Sequence, residues 1–232
     1  GKAAFSWFIA VFTRRITVDG KDYFRTTKYI CIVDQGLDHD PVKQDQSMVI
    51  AIMNKIIHHY KEANDDITSL FVKSDNASNF KNESVVSFLK SVRIPVQGEN
   101  PDPDQDLTVS DYMLNSAGDG KDEADSTGSN GKAKVDLEVN SGANADNPRN
   151  FGNCLVAGLG LVNCVVMIGP IIGKQEPIEQ KLIPTITKIA HFHMTESGAT
   201  IRHCCLIGEG QKVKIAKTKI DTVYEATVLN QS

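Results

Sequence analysis

The chain opens with two apolar segments that predict a β-hairpin. Residues 6–12 and 28–34 are runs of mainly apolar residues with the length of strands. Between them, Asp19 and Gly20 form a dipeptide that is typical of tight hairpin turns. The pattern therefore predicts two antiparallel strands joined at these two residues.

Helical and strand patterns alternate after the hairpin. Apolar positions in residues 48–60 recur with the 3.6-residue period of an amphipathic helix, and Asp45 or Ser47 can cap its first turn. Residues 67–92 continue with an apolar run that ends before Asp75 and then with a second helical pattern. This order of elements is typical of a mixed-sheet α/β core.

The middle of the chain differs in composition from the rest. Residues 97–150 contain twelve acidic and four basic residues, a net of −8, which leaves +4 for the remainder because the total is −4. The segment is also rich in Gly, Asn, Asp and Ser, which favours a low-order insertion. We therefore expect three parts: residues 1–96 as the N-terminal part of the core, 97–150 as the acidic insertion, and 151–232 as a strand-rich C-terminal part.

Composition narrows the class of protein. With 232 residues and 41% hydrophobic content, the chain can bury a sizeable core. The net charge argues against a surface that is basic throughout, although it is compatible with a local basic groove. None of the five cysteines forms a Cys-x-x-Cys pair, which favours reduced thiols. Because the longest apolar stretch is short for a membrane span, we expect a nuclear or cytoplasmic protein with no membrane partner.

Short motifs are spread along the chain. Residues 1–7 read GKAAFSW, 44–45 read QD, 74–77 read SDNA, 112–125 read YMLNSAGDGKDEAD and 207–210 read IGEG. In this order they resemble segments of a family of transposon-derived invertebrate proteins, which are similar to the catalytic core of DDE transposases and integrases. The resemblance implies a ribonuclease-H-like mixed sheet flanked by helices and truncated at its N-terminus.

The resemblance also implies a site for two divalent metal ions. In such a site, three carboxylates hold Mg²⁺ or Mn²⁺ for phosphoryl transfer on DNA. Asp75 corresponds to the second carboxylate and Asp125 to the third. The first would precede Gly1, and the missing initiator Met leads us to expect a processed chain or a fragment.

The chain departs from the family pattern around the third acid. Ser116 stands where the family has Glu, and Ala124 replaces its Cys. Gly128 and Gly131 each lower helix propensity by about 1 kcal/mol relative to Ala. We therefore expect the ancestral site to be incomplete and this chain to be inactive as a nuclease.

Three lysines are candidates for contacts with DNA phosphates: Lys121, Lys212 and Lys214. Lys121 lies in the family-like segment, whereas Lys212 and Lys214 alternate with apolar residues. Because such alternation is equally typical of the solvated face of a strand, that interpretation stays open beside the functional one.

The candidate metal ligands also have structural interpretations. Asp75 can form a turn after a strand, because Asp side chains bond nearby backbone N–H groups. Asp125 can be a solvated residue of an acidic segment. A His and Cys cluster near the C-terminus suggests zinc, but its spacing is not that of a known zinc site, and ordinary packing is favoured. The members of that cluster are His191, His193, His203, Cys204 and Cys205. On a strand, His191 and His193 would share a face.

Two functions follow from the sequence. The first is a degenerate transposase-like domain that associates with DNA and does not cut it. The alternative is a non-catalytic protein-interaction or structural domain, whose acidic residues 97–150 would meet a basic protein partner. Salt-dependent binding to DNA separates the two, because phosphate contacts weaken as salt rises.

Overall fold

The fold is seen in a computed structural model of the chain. The described residues are 5–34, 44–75, 77–96, 103–115, 123–176, 178, 182–183, 186–204, 206–216 and 218–230. The described helices, α1 to α4, span Gln46–Glu62, Glu83–Ser91, Glu123–Asn140 and Pro148–Val156. The described strands, β1 to β12, span Ser6–Val18, Lys21–Val33, Ser69–Ser74, Arg93–Ile94, Leu107–Leu114, Cys164–Gly169, Ile171–Gly173, His191–Thr195, Gly198–Arg202, Gln211–Val213, Thr222–Tyr224 and Thr227–Val228.

These elements form a mixed α/β architecture, as the sequence pattern predicted. One sheet has the strand order β1-β2-β6-β12, and another has the order β10-β9-β8-β5-β3, with β4 also paired to β5. A two-stranded sheet joins β7 and β11. The chain divides into two compact units, each built from segments that are distant in sequence. Unit 1 comprises Gly1–Lys43, Lys121–Ile172 and Tyr224–Ser232, and unit 2 comprises Gln44–Gly120 and Gly173–Val223.

The predicted hairpin is confirmed in unit 1. β1 and β2 each have 13 residues and pair antiparallel along their whole length, ending with Val18 opposite Lys21. Asp19 and Gly20 form the turn with φ angles of 52° and 73°, the left-handed backbone that a type I′ turn requires. β6 pairs parallel with the inner half of β2, which makes this sheet mixed.

Helix α3 is continuous through its glycines, although propensity predicts a weak helix. A Cβ at Gly128 would lie 3.0 Å from Cδ1 of Ile9, and a Cβ at Gly131 would lie 3.3 Å from Cζ3 of Trp7. The missing side chains let α3 lie close to β1, so packing offsets the lower propensity. Residues 97–150, which composition predicts as a low-order insertion, accordingly contain β5, α3 and the first turn of α4.

In unit 2, the first two helices begin at side-chain caps. Oδ1 of Asp45 accepts the N–H groups of Ser47 at 2.8 Å and of Met48 at 3.2 Å. Oδ1 of Asn82 accepts that of Val85 at 3.0 Å. Each cap satisfies helix N–H groups that have no partner inside the helix. The cap predicted at Asp45 is therefore confirmed.

The four described cysteines, Cys31, Cys154, Cys164 and Cys204, are free. Burial raises the pKa of the Cys164 thiol to about 11 and that of Cys31 further. Because the thiolate is the reactive form, these two buried residues act as apolar core residues. No helix in the described ranges is long and apolar enough to cross a membrane.

Candidate functional site

Asp75, the sequence candidate for the second metal ligand, lies exposed after β3 in unit 2. Its Oδ1 accepts the backbone N–H of Ala77 at 3.1 Å. This bond is the one by which an Asp side chain forms an Asx turn. The turn-forming alternative is thus observed directly, and a metal-binding role for Asp75 stays a prediction.

Asp125, the candidate for the third ligand, lies exposed in the first turn of α3 in unit 1. A carboxylate at this position interacts favourably with the helix dipole, which gives it a structural role. Carboxylate oxygens suit Mg²⁺ or Mn²⁺, but Asp75 belongs to unit 2, and the two-metal site stays a prediction. Within the described part of the chain, no three His, Cys, Asp or Glu side chains form a group that could hold a metal ion. Lys121 and Ser116 lie outside the described residues.

A different set of polar side chains comes together on one face of the six-stranded sheet in unit 2. Val109 of β5 lies opposite Leu70 of β3, but the next pair joins Asp111 to Phe71. Ser110 is therefore an extra residue, a β-bulge that reverses which β5 side chains point to each face. The bulge turns Asp111 onto the face opposite that of the buried Val109.

We call this surface the polar face and define it by two adjacent rows of residues across the strands. The first row is Phe71, Asp111, His193, Thr200 and Lys212, and the second is Lys73, Met113, His191 and Arg202. Phe71 is 51% exposed, and the His193 side chain is 49% exposed. Lys212 is exposed on the edge strand β10, and Lys214 is exposed just after it. The polar face thus includes one of the predicted phosphate-binding lysines.

Hydrogen bonds join four side chains of the polar face. Nη1 of Arg202 donates to Nδ1 of His191 at 3.3 Å, and Nε2 of His191 donates to Oδ1 of Asp111 at 3.0 Å. A guanidinium only donates and a carboxylate only accepts. His191 is therefore neutral, with its proton on Nε2, and it is fully buried.

His193 bonds the same carboxylate oxygen. Its Nδ1 donates to Oδ1 of Asp111 at 2.9 Å. Its Nε2 has no hydrogen-bond partner among the described residues, and the ring is half exposed. Asp111 therefore orients the imidazole and leaves Nε2 available to accept a hydrogen bond from a nucleobase N–H, or to donate one to an anion when it carries a proton.

The electrostatics of Asp111 follow from these contacts. Burial alone would raise its pKa, but hydrogen bonds from His193, Ser110 and His191 outweigh that effect and hold the pKa below its ordinary value of 3.8. The carboxylate is ionised at neutral pH. It can therefore act as the common acceptor for both rings.

The structure separates the histidines that the sequence grouped. His191 and His193 share a strand face, as predicted, because both point to the polar face from β8. His203 does not join them, since its Nδ1 donates to the carbonyl oxygen of Lys188 at 2.9 Å. Cys205 lies outside the described residues.

Asp111 is the functional candidate that sequence reasoning missed. The signal was present in residues 107–114, where the alternation of apolar and polar residues holds up to Ser110 and breaks at Asp111. Two adjacent polar residues inside an alternating strand are typical of a bulge. The partners of Asp111 lie about 80 residues away in sequence, so the pattern alone could not name them.

A polar cavity of about 380 Å³ also lies in unit 2, beside the first turns of α1 and α2. Its lining includes Gln44, Ser78, Lys174 and Gln175. Helix N-termini can bind anions through their N–H groups. Here the side chains of Asp45 and Asn82 already accept hydrogen bonds from such N–H groups. The cavity is therefore a weaker candidate for ligand binding than the polar face.

Comparison of the chain with protein-family models, with curated proteins and with solved structures gave no match. The transposase resemblance stays an expectation from short motifs.

Proposed function

We propose that this chain is a nucleic-acid-associated domain that binds single-stranded DNA on its polar face. We further propose that it derives from the ribonuclease-H-like core of a transposase and does not cut DNA. The observation that carries the binding proposal is the first row of the polar face. That row places an exposed aromatic ring, Phe71, and an exposed cation, Lys212, on one side of one sheet.

Phe71 supplies a surface for a base. It is half exposed, and its strand β3 is at one end of the sheet order. Aromatic side chains on open sheets stack on unpaired bases, and each stacked base contributes about 1–3 kcal/mol. Duplex bases are already stacked on one another, so this contact favours a single strand.

Cations on the same face supply contacts for phosphates. Lys73 and Lys212 are exposed and have no ion-pair partner among the described residues. Lys212 lies four strand spacings from Phe71, a separation of roughly 19 Å. A single strand that crosses the sheet can therefore stack at one end and place phosphates near a lysine at the other.

His193 lies between these two groups in the same row. Asp111 holds its Nδ1 proton, so Nε2 is the atom left for the ligand. A protonated ring would add a positive charge close to the phosphates.

The non-catalytic part of the proposal depends on Asp75. Its carboxylate already accepts a backbone N–H in a turn. Because turn formation explains an Asp at the end of a strand without a metal, we propose binding rather than strand cleavage. Metal-dependent nicking of DNA by the purified chain, lost in Asp75→Asn, would contradict this part.

Fluorescence anisotropy with a labelled single-stranded DNA tests the binding proposal. Phe71→Ala should weaken binding about tenfold, which corresponds to about 1.4 kcal/mol of lost stacking. Lys212→Gln should lower the slope of log affinity against log salt by about 0.7. Val223→Ala, an exposed apolar residue of unit 2, and the exposed Lys132→Gln are matched controls that should bind as the unaltered chain does.

Absence of binding at low salt would contradict the proposal. If the chain then bound a basic protein in a salt-sensitive way, the alternative function of the acidic residues 97–150 would be supported. Equal losses in Phe71→Ala and Val223→Ala would also contradict it, because the polar face would then have no special role.

A further inference from the structure

A second surface, in unit 1, has the shape and charge of a nucleic-acid-binding element. β6 pairs with β2 only over residues 28–33, so the outer residues 12–27 of the hairpin pair only with each other within the described sheet. We call residues 12–27 the ribbon arm. Its seven facing residue pairs extend roughly 20 Å beyond the paired part of the sheet.

The ribbon arm is positive in a chain that is negative overall. Its cations are Arg14, Arg15, Lys21 and Arg25, and its acids are Asp19 and Asp22, a net of +2. The rest of the chain therefore has a net of −6, since the total is −4. Such a separation of charge directs a polyanion to the arm.

Local contacts reduce the effect of the acids. Oδ1 of Asp22 accepts a hydrogen bond from the hydroxyl of Thr17 at 2.7 Å, and Oδ2 lies 3.6 Å from Nη1 of Arg15. Lys21 and Arg25 are exposed, and no ion-pair partner for either lies among the described residues. These two cations are available to a ligand.

We infer that the ribbon arm binds duplex DNA in the major groove. That groove is about 12 Å wide and admits a two-stranded β-ribbon. The register places Arg14 opposite Arg25 on one side of the ribbon and Arg15 opposite Phe24 on the other. Cations therefore extend from both faces of the ribbon, and contacts between such cations and phosphates position a protein on the duplex.

The tip of the arm is as narrow as a hairpin allows. Asp19 and Gly20 close it in two residues with left-handed backbone. No bulky loop would keep the strands away from the base edges. Near the tip, Tyr23 and Phe24 are 50% and 76% exposed, and such rings can contact the methyl groups of thymine.

Charge decides between DNA and a second copy of the chain. In a symmetric dimer the same patch meets itself, so the pair Arg14 and Arg25 would approach the same two cations. Like charges at contact are unfavourable. DNA phosphates provide the opposite charge at any orientation of the arm along the groove.

Anisotropy of a labelled duplex DNA with the full chain tests this inference. Lys21→Gln/Arg25→Gln removes two cations and should lower the salt slope by about 1.8. If each contacts one phosphate, affinity at 0.1 M salt falls roughly 60-fold. The control Lys132→Gln/Arg149→Gln makes the same charge change at exposed positions of unit 1 and should bind as the unaltered chain does.

Two further measurements distinguish a loss of duplex binding from a loss of folding and from failure of the proposed function. Asp22→Asn removes a negative charge from the arm and should tighten duplex binding. Single-stranded DNA binding should be unchanged in Lys21→Gln/Arg25→Gln, because it depends on the polar face, so either proposal can fail alone.

The inference is overturned if the arm variant and its control bind the duplex equally. It is also overturned if the chain does not bind duplex at low salt but dimerises through Tyr23 and Phe24. In that case, Tyr23→Ser/Phe24→Ser would abolish the dimer in light scattering.

Discussion

Replacing Asp111 tests the hydrogen-bonded group on the polar face. Asp111→Ala removes the acceptor that His191 and His193 share. The His191 side chain is 1% exposed, so its Nε2–H would lose its partner away from water, at a cost of about 1–3 kcal/mol. The half-exposed His193 can form a hydrogen bond with water instead. Loss of its bond to Asp111 therefore lowers the free energy of unfolding by at most about 1 kcal/mol. We expect the free energy of unfolding to fall by about 2–3 kcal/mol.

Urea unfolding followed by circular dichroism measures this loss. Asp111→Asn keeps an oxygen acceptor without the charge, so it should cost less than Asp111→Ala. The control is Asp221→Ala, whose carboxylate pairs with Lys219 at 3.0 Å on the surface of the same unit. Exposed pairs of this kind contribute little, and the control should cost less than about 1 kcal/mol.

The pH dependence of the stability of these variants provides a second test of the role of Asp111. The pKa of Asp111 is lower in the folded chain than its ordinary value of 3.8. Its stabilising effect is therefore fully present above that value and is lost as the pH falls through the lower folded pKa. The difference in stability between the unaltered chain and Asp111→Asn should shrink as the pH falls below 3.8.

Two results would refute this reasoning. If Asp111→Ala costs no more than Asp221→Ala, the buried His191 ring does not depend on Asp111. If the difference between the unaltered chain and Asp111→Asn persists at acid pH, the hydrogen bonds do not favour the ionised carboxylate.

Substitutions at three further positions test the fold. Gly20→Ala should lower the free energy of unfolding in urea by about 1–2 kcal/mol, because the φ angle of +73° is unfavourable for a residue with a Cβ. No atom lies near the added Cβ, so the cost is conformational and not steric. Gly131→Ala should be nearly neutral, since about 1 kcal/mol of helix propensity offsets the 3.3 Å approach to Trp7, whereas Gly131→Leu should cost about 1–3 kcal/mol by overpacking. A neutral Gly131→Leu would contradict the close packing of α3. Tyr224→Phe should cost about 1–2 kcal/mol, because the buried hydroxyl lies 2.8 Å from the carbonyl oxygen of Ile32. Burial raises the pKa of Tyr224 above its ordinary value of 10.0, so an ultraviolet titration of the folded chain that shows this phenol ionising at that ordinary value would contradict its burial.

The local sequence pattern was sufficient to predict the structure wherever contacts between neighbouring residues determine it. The turn at Asp19 and Gly20 follows from the dihedrals that these residues tolerate. The start of α1 follows from the side chain of Asp45, which reaches N–H groups two and three residues away. Each of these features depends on contacts within a few residues, so the sequence displays it directly.

Composition was a weaker guide where long-range packing competes with propensity. Residues 97–150 are acidic and glycine-rich, and they still contain β5, α3 and the first turn of α4. The glycines that weaken an isolated helix are the ones that let α3 approach Ile9 and Trp7. The free energy of intrinsic helix propensity is small compared with that of burying the helix face. The role of Gly128 and Gly131 is therefore seen only in the contact of α3 with β1.

The sequence by itself determined a mixed α/β protein, its first hairpin, the cap of its first helix and the shared face of His191 and His193. Only the tertiary structure decided that Asp111 joins those two rings, that Asp75 closes a turn, and that Lys212 lies in line with Phe71. The reason is physical. A bulge at Ser110 reverses the facing of β5, and strand pairing across about 80 residues then places the partners together, which no local period encodes.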